Sequence, residues 1–196
     1  KIKIGYISID FRAHSCGVPL WPIIKQHDRN IFKTYTFSIS DEKILEKTIQ
    51  NSSDQHFNIS SLSWVQAQNL IINIGLDILI DTTRHIRGAP ILLFSKRLAK
   101  IQISAWGYGS TSGLPSMDAI LGDDLTLNNT DKKFYYEDFI KIPSYLPIEA
   151  RTTSDLPKNK IKFDKNLSSA SIIFGCFANH YKINYRIFST WLNILK

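Results

Sequence analysis

The chain is 196 residues long, with 24 Lys and Arg against 17 Asp and Glu, a net charge of +7. At 43% hydrophobic and 12% aromatic it has the material for a core, which excludes wholesale disorder. No apolar run approaches the roughly 18 residues of a membrane helix, and the start, Lys1-Ile2-Lys3-Ile4-Gly5-Tyr6, is no signal peptide.

Ile2, Ile4, Ile7 and Ile9 straddle Gly5 and Tyr6 in an apolar run that ends at Asp10, the pattern of a strand buried on both faces. Gly17 to Gln26 follows with helical spacing of Leu20, Ile23 and Ile24, and with Pro19 and Pro22 giving it an irregular start. Phe32 to Ser38 alternates as a second strand. A polar helix is expected over Asp41 to Gln50, with acids in its first turn where the helix dipole favours them. A short strand at His56 to Ile59 precedes Ser63-Trp64-Val65-Gln66, whose spacing is that of a capping box. It opens a helix to about Ile74, with Val65, Leu70 and Ile74 as its apolar set. Asp77 to Asp81 is a compact buried strand, Ala89 to Arg97 a short helix, and Ile101 to Ala105 another strand. After Ala119 to Gly122 and Phe139 to Ile142 the pattern weakens. Strands alternating with helices at this spacing predict βαβ crossovers, an α/β class and a mostly parallel, Rossmann-like sheet.

Residues 151–170 are polar and read as a linker between a domain over 1–150 and the start of a second over 171–196. In that second part Ser171 to Phe177 predicts a strand. Asn184 to Lys196 predicts a helix with Ile187, Trp191 and Leu195 on one face. The chain lacks an initiating Met and reads as a piece of a longer protein. Its positive charge gathers most densely at Lys158, Lys160, Lys162 and Lys165, in the linker, as a solvated run. No zinc finger, RNA-recognition signature or aromatic-interleaved basic helix accompanies it, so neither a nucleic-acid nor a membrane partner is expected. Two distant cysteines, Cys16 and Cys176, make no disulfide framework and fit a reducing, cytoplasmic setting.

Ligands of open α/β sheets bind beyond the carboxyl ends of the strands. Four segments of this sequence fall there. Asp10-Phe11-Arg12-Ala13-His14-Ser15 follows the first strand; His14 is placed to meet a phosphate or sugar oxygen, to act as an acid–base, or simply to cap a helix start. Asp81-Thr82-Thr83-Arg84-His85-Ile86-Arg87-Gly88 concentrates an acid, hydroxyls, a His and two Arg. An Arg fork suits anionic oxygens, but a turn held by Asp81 and its neighbours, with the Arg solvated, is the favoured reading. Gly107-Tyr108-Gly109-Ser110-Thr111-Ser112-Gly113 has the glycines that let backbone amides approach a sugar or phosphate. It is neither a Walker A loop nor a GxGxxG turn. Asn179-His180-Tyr181-Lys182 follows the late strand, and Lys182 can neutralise a diphosphate as a point charge. His27 and His56 read as surface or turn residues, and no Cys, His or Asp spacing meets metal-ligand expectations.

Taken in order, these segments resemble the catalytic region of the O-GlcNAc transferase family, protein O-glycosyltransferases that include SPINDLY-type proteins. Ile4-Gly5-Tyr6-Ile7-Ser8-Ile9-Asp10-Phe11-Arg12-Ala13-His14 resembles the family's opening segment. Asp77 to Asp81 through His85 and Gly88 resembles its DILVDLxGHTxG. Ile101-Gln102 through Gly107-Tyr108, Thr111-Ser112-Gly113-Leu114-Pro115 and Met117-Asp118 resembles its PIQxxWLGYPGTSGxPxMDY. Phe177-Ala178-Asn179-His180-Tyr181-Lys182-Ile183 resembles its FxNxxKI.

The resemblance implies a GT-B architecture, with this chain as its N-terminal half plus the first βα unit of a C-terminal half that it lacks. It implies inverting transfer of GlcNAc from UDP-GlcNAc, a nucleotide sugar, to Ser or Thr of protein acceptors. No metal or other cofactor is implied, and the parent would carry tetratricopeptide repeats. By match of position His14 would face the sugar diphosphate, with His85 a second catalytic candidate. Lys182 would neutralise the leaving group. Gly107, Tyr108, Gly109, Thr111, Arg87 and Asn179 would line the substrate. The alternatives are a SPINDLY-like O-fucosyltransferase using GDP-fucose, or a binding domain that keeps the fold without catalysis. The pattern departs from the family where Arg84 replaces a Gly, Pro90 stands near a usual Arg, and Leu98 and Lys100 replace two Pro. Trp106 and Gly109-Ser110 also differ.

Overall fold

The computed structural model describes residues 1–12, 14, 16–40, 46–107, 109–145 and 172–196. They belong to two units, Lys1–Ala150 and Arg151–Lys196. The first is built on seven parallel strands: β1 (Ile2–Ser8), β2 (Phe32–Ser38), β3 (Gln55–Asn58), β4 (Leu76–Asp81), β5 (Ala99–Ser104), β6 (Ala119–Gly122) and β7 (Asp138–Lys141). They lie in the order β3-β2-β1-β4-β5-β6-β7. The chain therefore winds outward one way from β1 and then crosses back to the other side of it. That reversal, between β1 and β4, is the switch point at which sheets of this kind open a crevice.

Side chains alternate across the central strands, and each set meets its own layer of helices. Ile4 and Tyr6 of β1 join Ile80 and Ile103 on one face, under α1 (Leu20–Lys25) and α2 (Glu46–Ser52), which contribute Leu20, Ile24 and Ile49. Ile7 points to the other face with Phe37 and Leu79, against Ala67 and Ile71 of α3 (Trp64–Ile74). Each such aliphatic, fully buried, is worth about 1.5–3 kcal/mol. Gly5 in mid-strand has a packing reason, since a Cβ there would come within 2.6 Å of Leu76 Cδ1.

The strand boundaries follow the sequence pattern to within a residue or two, and the capping box forms as the spacing predicts. The Ser63 side chain accepts from Gln66 N, the Gln66 side chain accepts from Ser63 N, and Gly75 closes α3 at φ 67°. The helices depart further. α1 is only six residues long because turns occupy Cys16–Pro19. The helix expected over Asp41–Gln50 is observed as Glu46–Ser52, its first half lying outside the described residues. Ala89–Arg97 narrows to a 3-10 turn, Ile91–Ser95. The apolar set of α3 holds in part: Leu70 and Ile74 pack against the core, but Val65 is 60% exposed, and the buried residues are Ala67, Gln68 and Ile71. Gln68 is tolerated inside because its amide donates to the carbonyls of Leu92 and Leu93 at 3.3 and 3.0 Å, satisfying the end of that turn.

In the second unit, residues 172–177 are not a strand: they form no ladder with any described residue, and a strand is defined by its partner. The helix is present as α4 (Tyr185–Ile194), its N-terminus capped by Asn184 Oδ1 accepting from Ile187 N at 3.1 Å. The expected linker over 151–170 lies outside the described residues.

Candidate functional site

Three loops gather at the carboxyl ends of β1, β4 and β5. After β1, Asp10 is buried, its amide donating to Ser8 Oγ at 3.0 Å. The chain then folds on itself: His14 N donates to Arg12 O at 2.7 Å, and Gly17 N and Val18 N donate to His14 O at 3.0 Å. Gly17 sits against the backbone carbonyl of Asp10, where no side chain fits. The turn brings His14 Nδ1 to 3.3 Å from Asp10 Oδ1, while Arg12 Nε donates to the same oxygen at 3.2 Å.

After β4 the buried Asp81 organises the next turn. Its Oδ1 accepts from Thr83 N at 2.9 Å and Thr83 Oγ1 at 2.7 Å, and its Oδ2 from Arg84 N at 3.2 Å. Burial pushes the Asp81 carboxyl above its usual range despite these bonds. The turn throws Arg84 into the left-handed region at φ 53°. Of the two readings of this segment, solvated arginines or an anion fork, Arg84 fits neither. It is 1% exposed and donates to protein: Nη1 to Ser110 O at 2.6 Å, Nη2 to Trp106 O at 2.9 Å and Tyr145 Oη at 3.0 Å. Arg87 is exposed.

The loop after β5 is therefore gripped from below by a guanidinium. It is gripped again by a carboxylate. Glu137, fully buried just before β7, accepts from Ser112 N at 2.6 Å and Thr111 Oγ1 at 2.7 Å. Burial pushes the Glu137 carboxyl up, but the bonds from Ser112 and Thr111 outweigh it and hold it below its ordinary value. Within the loop Gly107, at φ 55°, is required twice over, because a Cβ would also meet Thr82 O at 2.6 Å. Gly109 has open space around it, and Gly113 turns the chain at φ 70°. Tyr108 lies outside the described residues.

His85 joins the two loops. Its Nε2 lies 3.0 Å from Thr111 O, and because a carbonyl only accepts, Nε2 carries the hydrogen. In the neutral ring Nδ1 is then the free acceptor. Among the described residues three buried side-chain atoms find no hydrogen-bond partner: Asp10 Oδ2, Arg84 Nε and Ser104 Oγ. They stand beyond β1, beyond β4 and at the end of β5, so the unsatisfied polar groups gather at the switch-point end of the sheet.

The structure thus brings together His14, His85, Gly107, Gly109 and Thr111 at one end of one sheet. Asn179 and Lys182 belong to the second unit, where Asn179 precedes a 3-10 turn over His180–Lys182 and both side chains are exposed. Glu137 escaped the sequence reading, since a lone acid in a weakly patterned stretch carries no signal. The Asp10, His14 and Cys16 grouping escaped it as well, because the spacing matches no metal-ligand motif and the three meet only through the fold of the turn. His27 and His56 are partly buried structural residues rather than surface ones: His27 Nε2 meets Tyr6 Oη at 2.6 Å, and His56 Nδ1 meets Thr36 Oγ1 at 2.9 Å. No helix among the described residues is long and apolar enough to cross a membrane.

Known proteins carry the same pattern. The sequence profile of glycosyl transferase family 41 matches residues 1–152. The "probable UDP-N-acetylglucosamine–peptide N-acetylglucosaminyltransferase SEC" of Arabidopsis thaliana is 26% identical over 203 residues, covering 100% of this chain and 21% of that protein. The UDP-N-acetylglucosamine–peptide N-acetylglucosaminyltransferase of Caenorhabditis elegans is 32% identical over 129 residues, covering 64% of this chain and 11% of that protein. Among solved structures, a mutant O-GlcNAc transferase of Thermobaculum terrenum superposes with a TM-score of 0.72 at 28% identity, covering 75% of this chain and 29% of that one. The chain spans about a fifth of the length of curated relatives such as the Arabidopsis protein. It belongs to glycosyl transferase family 41.

Proposed function

We propose that this member of glycosyl transferase family 41 is the N-terminal part of the catalytic region of an inverting protein O-glycosyltransferase. It moves GlcNAc from UDP-GlcNAc to Ser or Thr hydroxyls of proteins in the cytoplasm. The observation that carries this reading is the junction of the β4 and β5 loops at the switch point, where His85 holds the glycine-rich loop through Thr111 O at 3.0 Å. It occurs in a chain whose relatives bear the names of UDP-N-acetylglucosamine–peptide transferases.

In the proposed reaction the acceptor hydroxyl oxygen attacks the anomeric carbon from the face opposite the diphosphate. The bond from that carbon to the β-phosphate oxygen breaks, its electron pair leaves with UDP, and the hydroxyl proton passes to a base. His14, at the β1 turn, faces the sugar diphosphate, and His85 offers Nδ1 as an acceptor. Lys182 neutralises the departing phosphate oxygen, a charge that grows only as the bond breaks and is therefore stabilised selectively in the transition state. By the family resemblance Gly107, Tyr108, Gly109 and Thr111 serve the sugar, Asn179 serves the nucleotide, and Arg87 is a further substrate-binding residue. No metal is needed for these steps, because the cationic side chain supplies the charge.

The test is calorimetric titration of UDP-GlcNAc, and separately of GDP-fucose, into the longer protein that contains this chain. Mass spectrometry of an acceptor protein follows. UDP-GlcNAc binding with a gain of one N-acetylhexosamine on Ser or Thr is the expected result. Binding of GDP-fucose alone would move the reading to a fucosyltransferase, and binding of neither by a folded protein would overturn it.

A further inference from the structure

The turn after β1 does more than present His14. One ligand-type atom from each of Asp10, His14 and Cys16 lies within 4.8 Å of the others, on a segment of seven residues folded back on itself. Asp10 is 1% exposed, and its Oδ2 has no hydrogen-bond partner among the described residues. A buried carboxylate oxygen left unpaired is costly unless something occupies it.

His14 adds a second sign. Its Nδ1 accepts from Cys16 N at 3.3 Å and also faces Asp10 Oδ1 at 3.3 Å. One nitrogen cannot accept from the amide and donate to the carboxylate together. With the lone pair toward the amide, two acceptors confront each other. With a proton toward Asp10, the amide loses its partner. A cation on Nδ1 turns the facing acceptors into ligands, at the cost of the Cys16 amide's bond to that nitrogen.

We propose that Asp10, His14 and Cys16 form a binding site for a thiophilic divalent cation of the zinc class. One oxygen, one imidazole nitrogen and one thiolate sulfur are a donor set that zinc accepts and that magnesium and calcium, which take oxygen ligands, do not. Zinc bonds of about 2.0–2.3 Å put tetrahedral ligand atoms roughly 3.5 Å apart, so atoms already within 4.8 Å need shifts of about 1 Å. His14 and Cys16 are partly exposed, which leaves the entry path and an open fourth position toward solvent. Arg12, on Asp10 Oδ1, is the opposing charge, and the cation takes Asp10 through Oδ2. The Cys16 thiol gives its proton to solvent as the metal binds. The site shares His14 with the transferase reading but rests on none of that reading's chemistry.

The experiment is calorimetric titration of zinc chloride into the full chain, repeated in buffers of different protonation enthalpy, together with absorption spectra of the cobalt form. One equivalent should bind with proton release, and cobalt should show a thiolate charge-transfer band in the near ultraviolet. Cys16→Ser should abolish that band and weaken zinc at least tenfold, and His14→Gln should weaken it similarly. Cys176→Ser should change neither, as the other cysteine in the chain. Circular dichroism of each variant keeps folding separate from binding, and alkylation of Cys16 in the folded wild type repeats the Cys16 test without a mutation. A band that survives Cys16→Ser, zinc binding that neither variant weakens and so marks adventitious surface histidines, or no binding at micromolar zinc would each overturn the proposal.

Discussion

The loops after β1 and β5 stand at the same end of the same sheet and are built in opposite ways. The β5 loop is held by charges from elsewhere in the chain: Arg84 grips the carbonyls of Trp106 and Ser110, and Glu137 grips Thr111 and Ser112. The bonds of the β1 loop run mainly within its own turn, and it leaves Asp10 Oδ2 unsatisfied. A loop that must present its backbone in one shape is fixed by distant buried ions. A loop that must present side chains keeps their lone pairs unspent.

The largest effect that would break this contrast comes from the clamp. Arg84→Met keeps the volume near but leaves two carbonyls and the Tyr145 hydroxyl without their donor. Urea denaturation should show a loss of about 3–5 kcal/mol. A loss below about 1 kcal/mol would mean that the β5 loop holds itself. Next come the two glycines where the backbone approaches closely, Gly17 in one loop and Gly107 in the other. Alanine at either should cost about 2 kcal/mol, through a forced backbone shift at Gly17 and added left-handed strain at Gly107.

Glu137 sharpens the comparison through pH. Its folded-state value lies below the ordinary 4.5, so its contribution is present above that value and is lost as pH falls through the lower, folded one. Glu137→Gln should lower stability by about 1–2 kcal/mol at neutral pH and flatten the acid limb of the stability curve. An acid limb unchanged in the variant would sink the assignment. Asp81, held above its usual range by burial, acts with the opposite sign: it takes stability away as pH rises from the ordinary aspartate range through its raised value. The smallest effect belongs to Gly109→Ala, which meets nothing within 4 Å and should change stability by no more than about 0.5 kcal/mol in the same assay.

How much was legible follows from these contacts. Strands buried on both faces announce themselves as apolar runs, and the Ser63–Gln66 box is a local hydrogen-bond pattern written in four consecutive residues. The loops were legible as places, because turn-forming and polar residues cluster just where strands end. What the loops do was only half legible. Arg84 reads as a solvated charge until a carbonyl 26 residues away is seen to meet it. Glu137 reads as nothing until Ser112 arrives. The face of α3 was legible in part, at Leu70 and Ile74, while Gln68 enters the core on bonds to carbonyls 24 and 25 residues away. Long-range polar satisfaction has no period and so leaves no trace in the pattern.

The place of β1 at the centre of the sheet also carries a temporal consequence. It is made before the other strands, yet one of its neighbours is β4, with Ile4 beside Ile78. At a synthesis rate of about 5–20 residues per second, one long edge of an isoleucine-rich strand waits roughly 4–15 s for its partner. Until residues 76–81 emerge, that edge is open to any other extended chain nearby, and closing so long a span makes folding slow. A nascent chain halted between β3 and β4 carries that edge of β1 unpaired.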